Sequence, residues 1–306
     1  MGKRLVVSND IQESEGFDGT YIYDPSKRIP REIARNITKI IVPEGTKEIG
    51  DGAFSHLPNL TSVVIPEGVT KIGKKAFRYC ASLESITLPE SLEEIGYSAF
   101  GECRNLKDIN IPGNVKKIGG YAFSECAITN IVVPAGVDRI EAGTFAKCGD
   151  LESVKLLGRV KSIEYNAFGG CMNLKDINLP DGLETIEHSA FHWCKSLKNP
   201  DFPDSLKSIG TTAYADCISI DTATLPSTLK ELDDYAFDKN VKILTRMTKR
   251  DIEDNRTVDH ISNIVNEAKS NGKLDVINRY IKMAEAEMSG IKFDNGADQK
   301  GFDITD

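Results

Sequence analysis

The stretch Leu83-Glu84-Ser85-Ile86-Thr87-Leu88-Pro89-Glu90-Ser91-Leu92-Glu93-Glu94-Ile95-Gly96-Tyr97-Ser98-Ala99-Phe100-Gly101-Glu102-Cys103-Arg104-Asn105-Leu106 reads as one full turn of a coil. Ile86-Thr87-Leu88 alternates at period two, so it is a short strand with Leu83, Ile86 and Leu88 pointing inward. Pro89 ends it, because proline has no N–H to give to a ladder. Leu92 and Ile95 form a second inward pair, read as another short strand. Gly96 permits a bend, and Ala99, Phe100 and Cys103 suit a short helical or 3₁₀ turn with its apolar side inward. Leu106 opens the next cycle.

Outward from that stretch the phrase recurs. Ile49, Ile72, Ile95, Ile118, Ile140, Ile163, Ile186, Ile209 and Leu232 are each followed, after four residues, by an aromatic ring. Those rings are Phe54, Phe77, Phe100, Phe123, Phe145, Phe168, Phe191, Tyr214 and Phe237. The step is 23 residues, except for 22 between Phe123 and Phe145. A fixed period of this length predicts a stacked solenoid, since no single turn can bury its apolar side alone. A solenoid offers a long regular surface and few deep pockets, which points to binding rather than chemistry.

The seven cysteines, Cys80, Cys103, Cys126, Cys148, Cys171, Cys194 and Cys217, all fall three residues after the ring of their turn. Neighbouring turns stack at roughly 5 Å, so the thiols form one line of small buried groups. A line cannot supply the tetrahedral set that zinc takes, no Cys-x-x-Cys pair exists, and an odd count cannot pair completely. The expectation is a structural ladder of reduced thiols.

The pattern closely resembles the leucine-rich repeats of the Treponema pallidum type, also called BspA-like repeats. Their phrase is Leu-x-x-Ile-x-Leu-Pro-x-x-Leu-x-x-Ile-Gly-x-x-Ala-Phe-x-x-Cys, and it covers about residues 37 to 240 here. Ile-Gly-x-x-Ala-Phe itself stands at Ile72–Phe77, Ile95–Phe100 and Ile118–Phe123. The resemblance implies a right-handed, curved leucine-rich repeat solenoid with a concave sheet. It also implies roles in adhesion or protein recognition, usually at a microbial surface. The fold expected is thus nine turns of about 23 residues, mostly short strands and loops with short helical turns.

Four segments follow. Residues 1–36 precede the repeat; Leu5-Val6-Val7 and Thr20-Tyr21-Ile22-Tyr23 read as a β-hairpin capping the first turn, and 37–241 form the solenoid. Within 242–293, Val258, Ile261, Val265 and Ala268, then Leu274, Ile277, Ile281, Ala284 and Met288, fall at helical spacing around the Asn271-Gly272 turn. This helical hairpin is read as a cap on the last turn or as a docking element. The polar tail 294–306 is read as flexible. Departures from the repeat are expected to matter locally. The short turn after Cys126 should lose one loop residue without shifting the core. Leu157 replaces the strand-ending proline, and Pro200 should weaken the sheet near the C-terminal end.

The formal net charge of −8 argues against nucleic acid as the main partner. No run of 18 apolar residues is present, so no transmembrane helix is expected, and the first ten residues lack a signal peptide's apolar core. The location expected is cytoplasmic, or cell-surface or secreted if a leader has been removed. His188 and His192 lie four apart beside Glu187, but their slots hold Lys74, Tyr97, Arg78 and Gly101 in other turns, so no metal is expected. No phosphate loop, nucleophile elbow or cofactor motif is present, so neither an enzyme nor a cofactor is expected.

The outward strand slots carry the binding expectation. One row runs Ile41, Val64, Thr87, Asn110, Val132, Lys155, Asn178, Asp201 and Thr224; its neighbour includes Asn130 and Asp176. The strip grades from apolar and small residues to polar, mildly acidic ones, which suits a protein or peptide partner. An ordinary solvated sheet face is the alternative. Tyr79 and Trp193, two residues after their rings, are candidate aromatic anchors or rings packed over their own loops. A surface adhesin binding matrix or carbohydrate, and an effector acting through the C-terminal hairpin, are the other classes.

Overall fold

The computed structural model describes residues 17–233 and 235–246. The chain divides into two compact units, Met1–Lys242 and Ile243–Asp306; of the second, Ile243–Arg246 are described. The elements begin with β1 (Thr20–Ile22), α1 (Arg31–Ala34), β2 (Lys39–Ile41), β3 (Glu48–Ile49), β4 (Ser62–Val64) and β5 (Lys71–Ile72). They continue with β6 (Ser85–Ile86), β7 (Glu94–Ile95), β8 (Asp108–Ile109), β9 (Lys117–Ile118), β10 (Asn130–Val133) and β11 (Arg139–Ile140). Then come β12 (Ser153–Leu156), β13 (Ser162–Ile163), β14 (Asp176–Ile177), β15 (Thr185–Ile186), β16 (Ser208–Ile209), β17 (Thr222–Pro226), β18 (Glu231–Leu232) and β19 (Lys242–Arg246).

Each turn contributes to two columns of parallel strands. The first column holds β1-β2-β4, then β6-β8, then β10-β12-β14; the second holds β3-β5-β7-β9, then β11-β13-β15-β16-β18. The register is the repeat itself: Ile49 lies against Ile72, Ile72 against Ile95, and Ile95 against Ile118. In the turn from Leu83 to Leu106 every position read as inward, Leu83, Ile86, Leu88, Leu92, Ile95, Phe100, Cys103 and Leu106, is buried.

Opposite the strands runs a column of rings. Phe77 and Phe100 stack at 5.1 Å and 1°, and the series continues through Phe191–Tyr214 at 4.9 Å to Tyr214–Phe237 at 5.0 Å. These separations fall in the favourable range for aromatic pairs. The seven thiols are free and buried beside the rings. Each donates to the carbonyl of the preceding turn's ring residue, from Cys80 Sγ to Phe54 O at 3.1 Å to Cys217 Sγ to Phe191 O at 3.0 Å. The thiol is thus a small hydrophobe that also satisfies a buried carbonyl, which explains its fixed phase.

The helical turn expected around Ala99–Cys103 is instead a run of three tight turns. Ala99 N–H bonds Gly96 O at 3.2 Å, Gly101 N–H bonds Ser98 O at 3.1 Å and Cys103 N–H bonds Phe100 O at 3.1 Å, while the alternate N–H groups reach the next turn, Phe100 to Ala122 O at 2.8 Å and Glu102 to Ser124 O at 2.7 Å. Left-handed residues flank the ring, Ser98 at φ 51° and Glu102 at φ 62°. The bend assigned to Gly96 needs another reason. A Cβ there would lie 2.7 Å from Gly73 C and Lys74 N, so glycine permits close approach of turns.

Thr20–Ile22 is a strand, as read, but it pairs parallel with β2 and adds a turn to the first column. Tyr23 covers the ring column, edge-on to Phe54 at 4.9 Å. The other half of the expected hairpin, and the C-terminal helical hairpin and tail, lie outside the described residues. Pro200 interrupts the first column as expected: among the described residues the pairing there is a single bridge, Asp201–Thr224, and Asn199 Oδ1 accepts from Asp221 N–H at 3.1 Å. Leu157, where most turns carry proline, donates its N–H to Val133 O at 3.0 Å. The 22-residue turn keeps the core, with Phe123 stacked on Phe145 at 5.6 Å and 9°. The second column parts at this turn, between β9 and β11; the first parts there too, between β8 and β10, as it does between β4 and β6 across a full 23-residue step.

Candidate partner-binding surface

The outward slots of the first column sit one above another because the strands pair in register. Ile41 lies against Val64, Val132 against Lys155, and Asp201 against Thr224. Val64, Thr87, Asn110, Val132, Lys155, Asn178 and Asp201 face outward, as do Asn130 and Asp176 beside them. Val64 and Val132 keep 49% and 44% of their surface in water, so the strip has apolar points between polar ones.

Some of these polar groups also hold the sheet. Asn178 Nδ2 donates to Leu156 O at 2.9 Å, and its Oδ1 accepts from Leu156 N–H at 2.8 Å. That side chain replaces backbone pairing where β14 ends. Asn130 Oδ1 accepts from Ser153 Oγ at 2.6 Å. The sequence showed the type of residue at these slots but not these bonds, which need the neighbouring turn in place.

Tyr79 and Trp193 lie on the ring side, away from the strip and five turns apart. Tyr79 is half-buried, stacked on His56 at 4.5 Å with the Arg78 guanidinium 4.6 Å over its ring. A hydrogen bond to Glu102, then burial, pushes its hydroxyl above the usual tyrosine range. Trp193 is 48% exposed, and its Nε1–H donates to Asp216 Oδ2 at 2.8 Å. Sequence reasoning missed the exposed rings Tyr97 and Tyr165. They stand three residues before the repeat aromatic, so their slot was legible.

Several thiols and two histidines make structural contacts. Burial pushes the Cys148 thiol up to about 12, and Cys126, Cys171 and Cys194 well up as well. His188 stacks on Tyr165 at 5.5 Å, while His192 Nε2 lies 3.2 Å from Asp216 Oδ2. Among the described residues no group of three or more His, Cys, Asp or Glu side chains could hold a metal ion. No described helix is long and apolar enough to cross a membrane.

The fold and this surface define a parallel leucine-rich repeat scaffold. Residues 32–151 and 138–255 match the BspA type leucine rich repeat region, a description that spans six copies, and the chain belongs to that family. No curated protein matches it. Among solved structures it is similar to a leucine-rich repeat protein of Bacteroides ovatus at 22% identity and TM-score 0.35, covering 70% of this chain and 85% of that one. It is also similar to the leucine-rich repeat protein of T. pallidum at 25% and 0.38, covering 71% and 78%. A pneumococcal vaccine antigen, PcpA, follows at 19% and 0.32, covering 75% and 83%. These superpositions are too loose to support a functional argument.

Proposed function

We propose that this protein is a non-enzymatic recognition scaffold that binds a protein or peptide partner across the outward face of its first strand column. The observation that supports this is the outward row from Val64 to Asp201, apolar at Val64 and Val132 with polar residues between and beyond them. Repeat solenoids use such extended faces for binding. The acidic balance favours a protein partner over nucleic acid.

Peptides selected from a random display library on the full chain are the direct test. Binding of the enriched peptides should fall about tenfold or more for Val132→Asp with Lys155→Glu, and stay unchanged for Lys147→Glu on the ring side. Equal binding to the native chain and both variants would reject the strip. A second reading, a surface adhesin for matrix or carbohydrate, draws on the exposed rings Tyr97, Tyr165 and Trp193. It predicts sugar binding that is lost on Tyr165→Ala and indifferent to Val132→Asp.

A further inference from the structure

The slot three residues before the repeat aromatic carries Tyr97, Gly120, Ala142, Tyr165 and His188 in five successive turns. Tyr97 and Tyr165 are exposed. One face of Tyr165 is covered, because His188 stacks on it at 5.5 Å and 3°. On its other side the slot holds Ala142 and then Gly120, both too short to cover a ring. Tyr165 therefore keeps one face open, above half-buried Ala142. Tyr121 flanks the same stretch. Its ring lies over Gly143, leaving no room for a Cβ there, and edge-on to Tyr97 at 5.7 Å. Burial, then the neighbouring Tyr165 and Tyr97, pushes the Tyr121 hydroxyl above the usual tyrosine range, so the three rings form one cluster.

Beside the rings stands a file of carboxylates. Glu141, Glu164 and Glu187 replace the glycine that earlier turns carry four residues before the ring. Each grips the preceding turn through one oxygen. Glu141 Oε2 accepts from Gly120 N–H at 2.8 Å, Glu164 Oε2 from Ala142 N–H at 3.2 Å and Glu187 Oε2 from Tyr165 N–H at 3.1 Å. These bonds seat the carboxylates along the ring slot itself. Their charge is poorly matched: among the described residues the three share one ion pair, Arg139 with Glu164 at 3.9 Å, which is long and half in water. The chain itself shows what such a ring and carboxylate take. Arg78 lays its guanidinium 4.6 Å over the Tyr79 ring and bonds Glu102 of the next turn at 2.9 Å. At Tyr165 the ring and the carboxylates recur, and among the described residues the chain lays no guanidinium of its own over that ring.

We infer that the open face of Tyr165, with the carboxylates of Glu164 and Glu187, is a second recognition site, one that takes an arginine side chain of a basic peptide. The guanidinium stacks on Tyr165 above Ala142, as Arg78 does on Tyr79. Its N–H groups reach the remaining oxygens of Glu164 and Glu187 and relieve the repulsion between them. Lysine brings the charge without the flat fork. A neutral sugar stacks on the ring and donates to the carboxylates but leaves their charge uncompensated. A bare metal ion finds no set of three ligands among the described residues. The site lies off the strip proposed above, and neither depends on the other.

The test is titration calorimetry of the full chain with acetyl-hexaarginine-amide, and with acetyl-hexalysine-amide and cellohexaose as comparison probes. Hexaarginine should bind, more weakly as salt rises, and about threefold or more tighter than hexalysine. Tyr165→Ala leaves the charge unchanged and should weaken binding about fivefold or more; Tyr165→Phe, which returns the ring face, should recover most of that loss. Glu164→Gln with Glu187→Gln should weaken it about tenfold or more, while each glutamine oxygen still accepts from the same N–H. Asp150→Asn with Asp181→Asn removes as much charge from exposed positions outside the file and should cost less than about twofold. Ala142→Leu should cover the ring face and block binding; the same slot holds Lys74 and Tyr97 in other turns, so that variant should fold. Equal losses in the two double variants, unaltered binding in Tyr165→Ala or Ala142→Leu, equal affinity for hexalysine, or displacement of hexaarginine by cellohexaose would each overturn the inference.

Discussion

The ring side and the strand side of this solenoid meet the same deletion differently. Across the 22-residue turn the ring side continues: Tyr121 N–H bonds Ala142 O at 2.9 Å, Phe123 N–H bonds Thr144 O at 2.9 Å, and Cys148 Sγ reaches Phe123 O at 3.0 Å. On the strand side neither column pairs across it. The rings and thiols are buried, so losing their contacts would open a void and orphan a carbonyl. The strand edges are in reach of water, which replaces a ladder bond at little cost. The misfit therefore collects where solvent can absorb it.

Substitutions at the junction test that division. Phe145→Ala should cost about 3–5 kcal/mol in denaturant unfolding, whereas Val132→Ala on the strand side should change stability by less than about 0.5 kcal/mol. Similar losses at both positions would erase the distinction between the two sides. Cys148→Ala removes the thiol bond to Phe123 and a little volume, and should cost about 1–2 kcal/mol. The same burial predicts that the native chain leaves its seven described thiols unmodified by an aromatic disulfide reagent until it unfolds. Rapid native labelling of Cys148 would contradict a sealed ring side.

Tyr214 is the weak point of that side. Its hydroxyl is buried without a hydrogen-bond partner among the described residues, where the seven preceding turns carry phenylalanine. Tyr214→Phe should raise stability by about 1 kcal/mol in the same unfolding measurement, and a loss would mean that the hydroxyl has a partner after all. The smallest effect lies with the glutamates that replace glycine after the break: Glu141, Glu164 and Glu187. Burial, then the charges of Glu187 and Glu141, hold the Glu164 carboxyl above its usual 4.5. The folded state binds this proton more tightly than the unfolded state. The group's contribution therefore favours folding below about 4.5 and turns unfavourable as pH rises through the raised value. Glu164→Gln should flatten the decline in melting temperature over that window; an unchanged slope would remove like-charge crowding as its source.

The positions at which sequence reasoning departed from the structure share a cause. The turn read as helical and the bend assigned to Gly96 were both judged within one turn. Their outcome depends on the next. Ser98 takes a left-handed conformation because Ser98 N–H then reaches Gly120 O at 2.8 Å, and Gly96 is glycine because Gly73 lies against it. Gly52 and Gly143, left-handed at the slot of Ser98, were the available signal. Of the candidate strip, the outward row was legible from alternation alone. That Asn178 and Asn130 also brace the sheet was not, since a side-chain bond to a neighbouring turn leaves no trace in the period.

By itself the sequence determined the period, the inward residues, the single file of thiols and the row that faces water. All of these follow from which side of a 23-residue turn must be dry. Only the tertiary structure decided where the stack is sewn and where it gapes. One missing residue is a length, and whether that length is taken from rings or from strands is settled by the unequal cost of breaking a buried contact and a wet one.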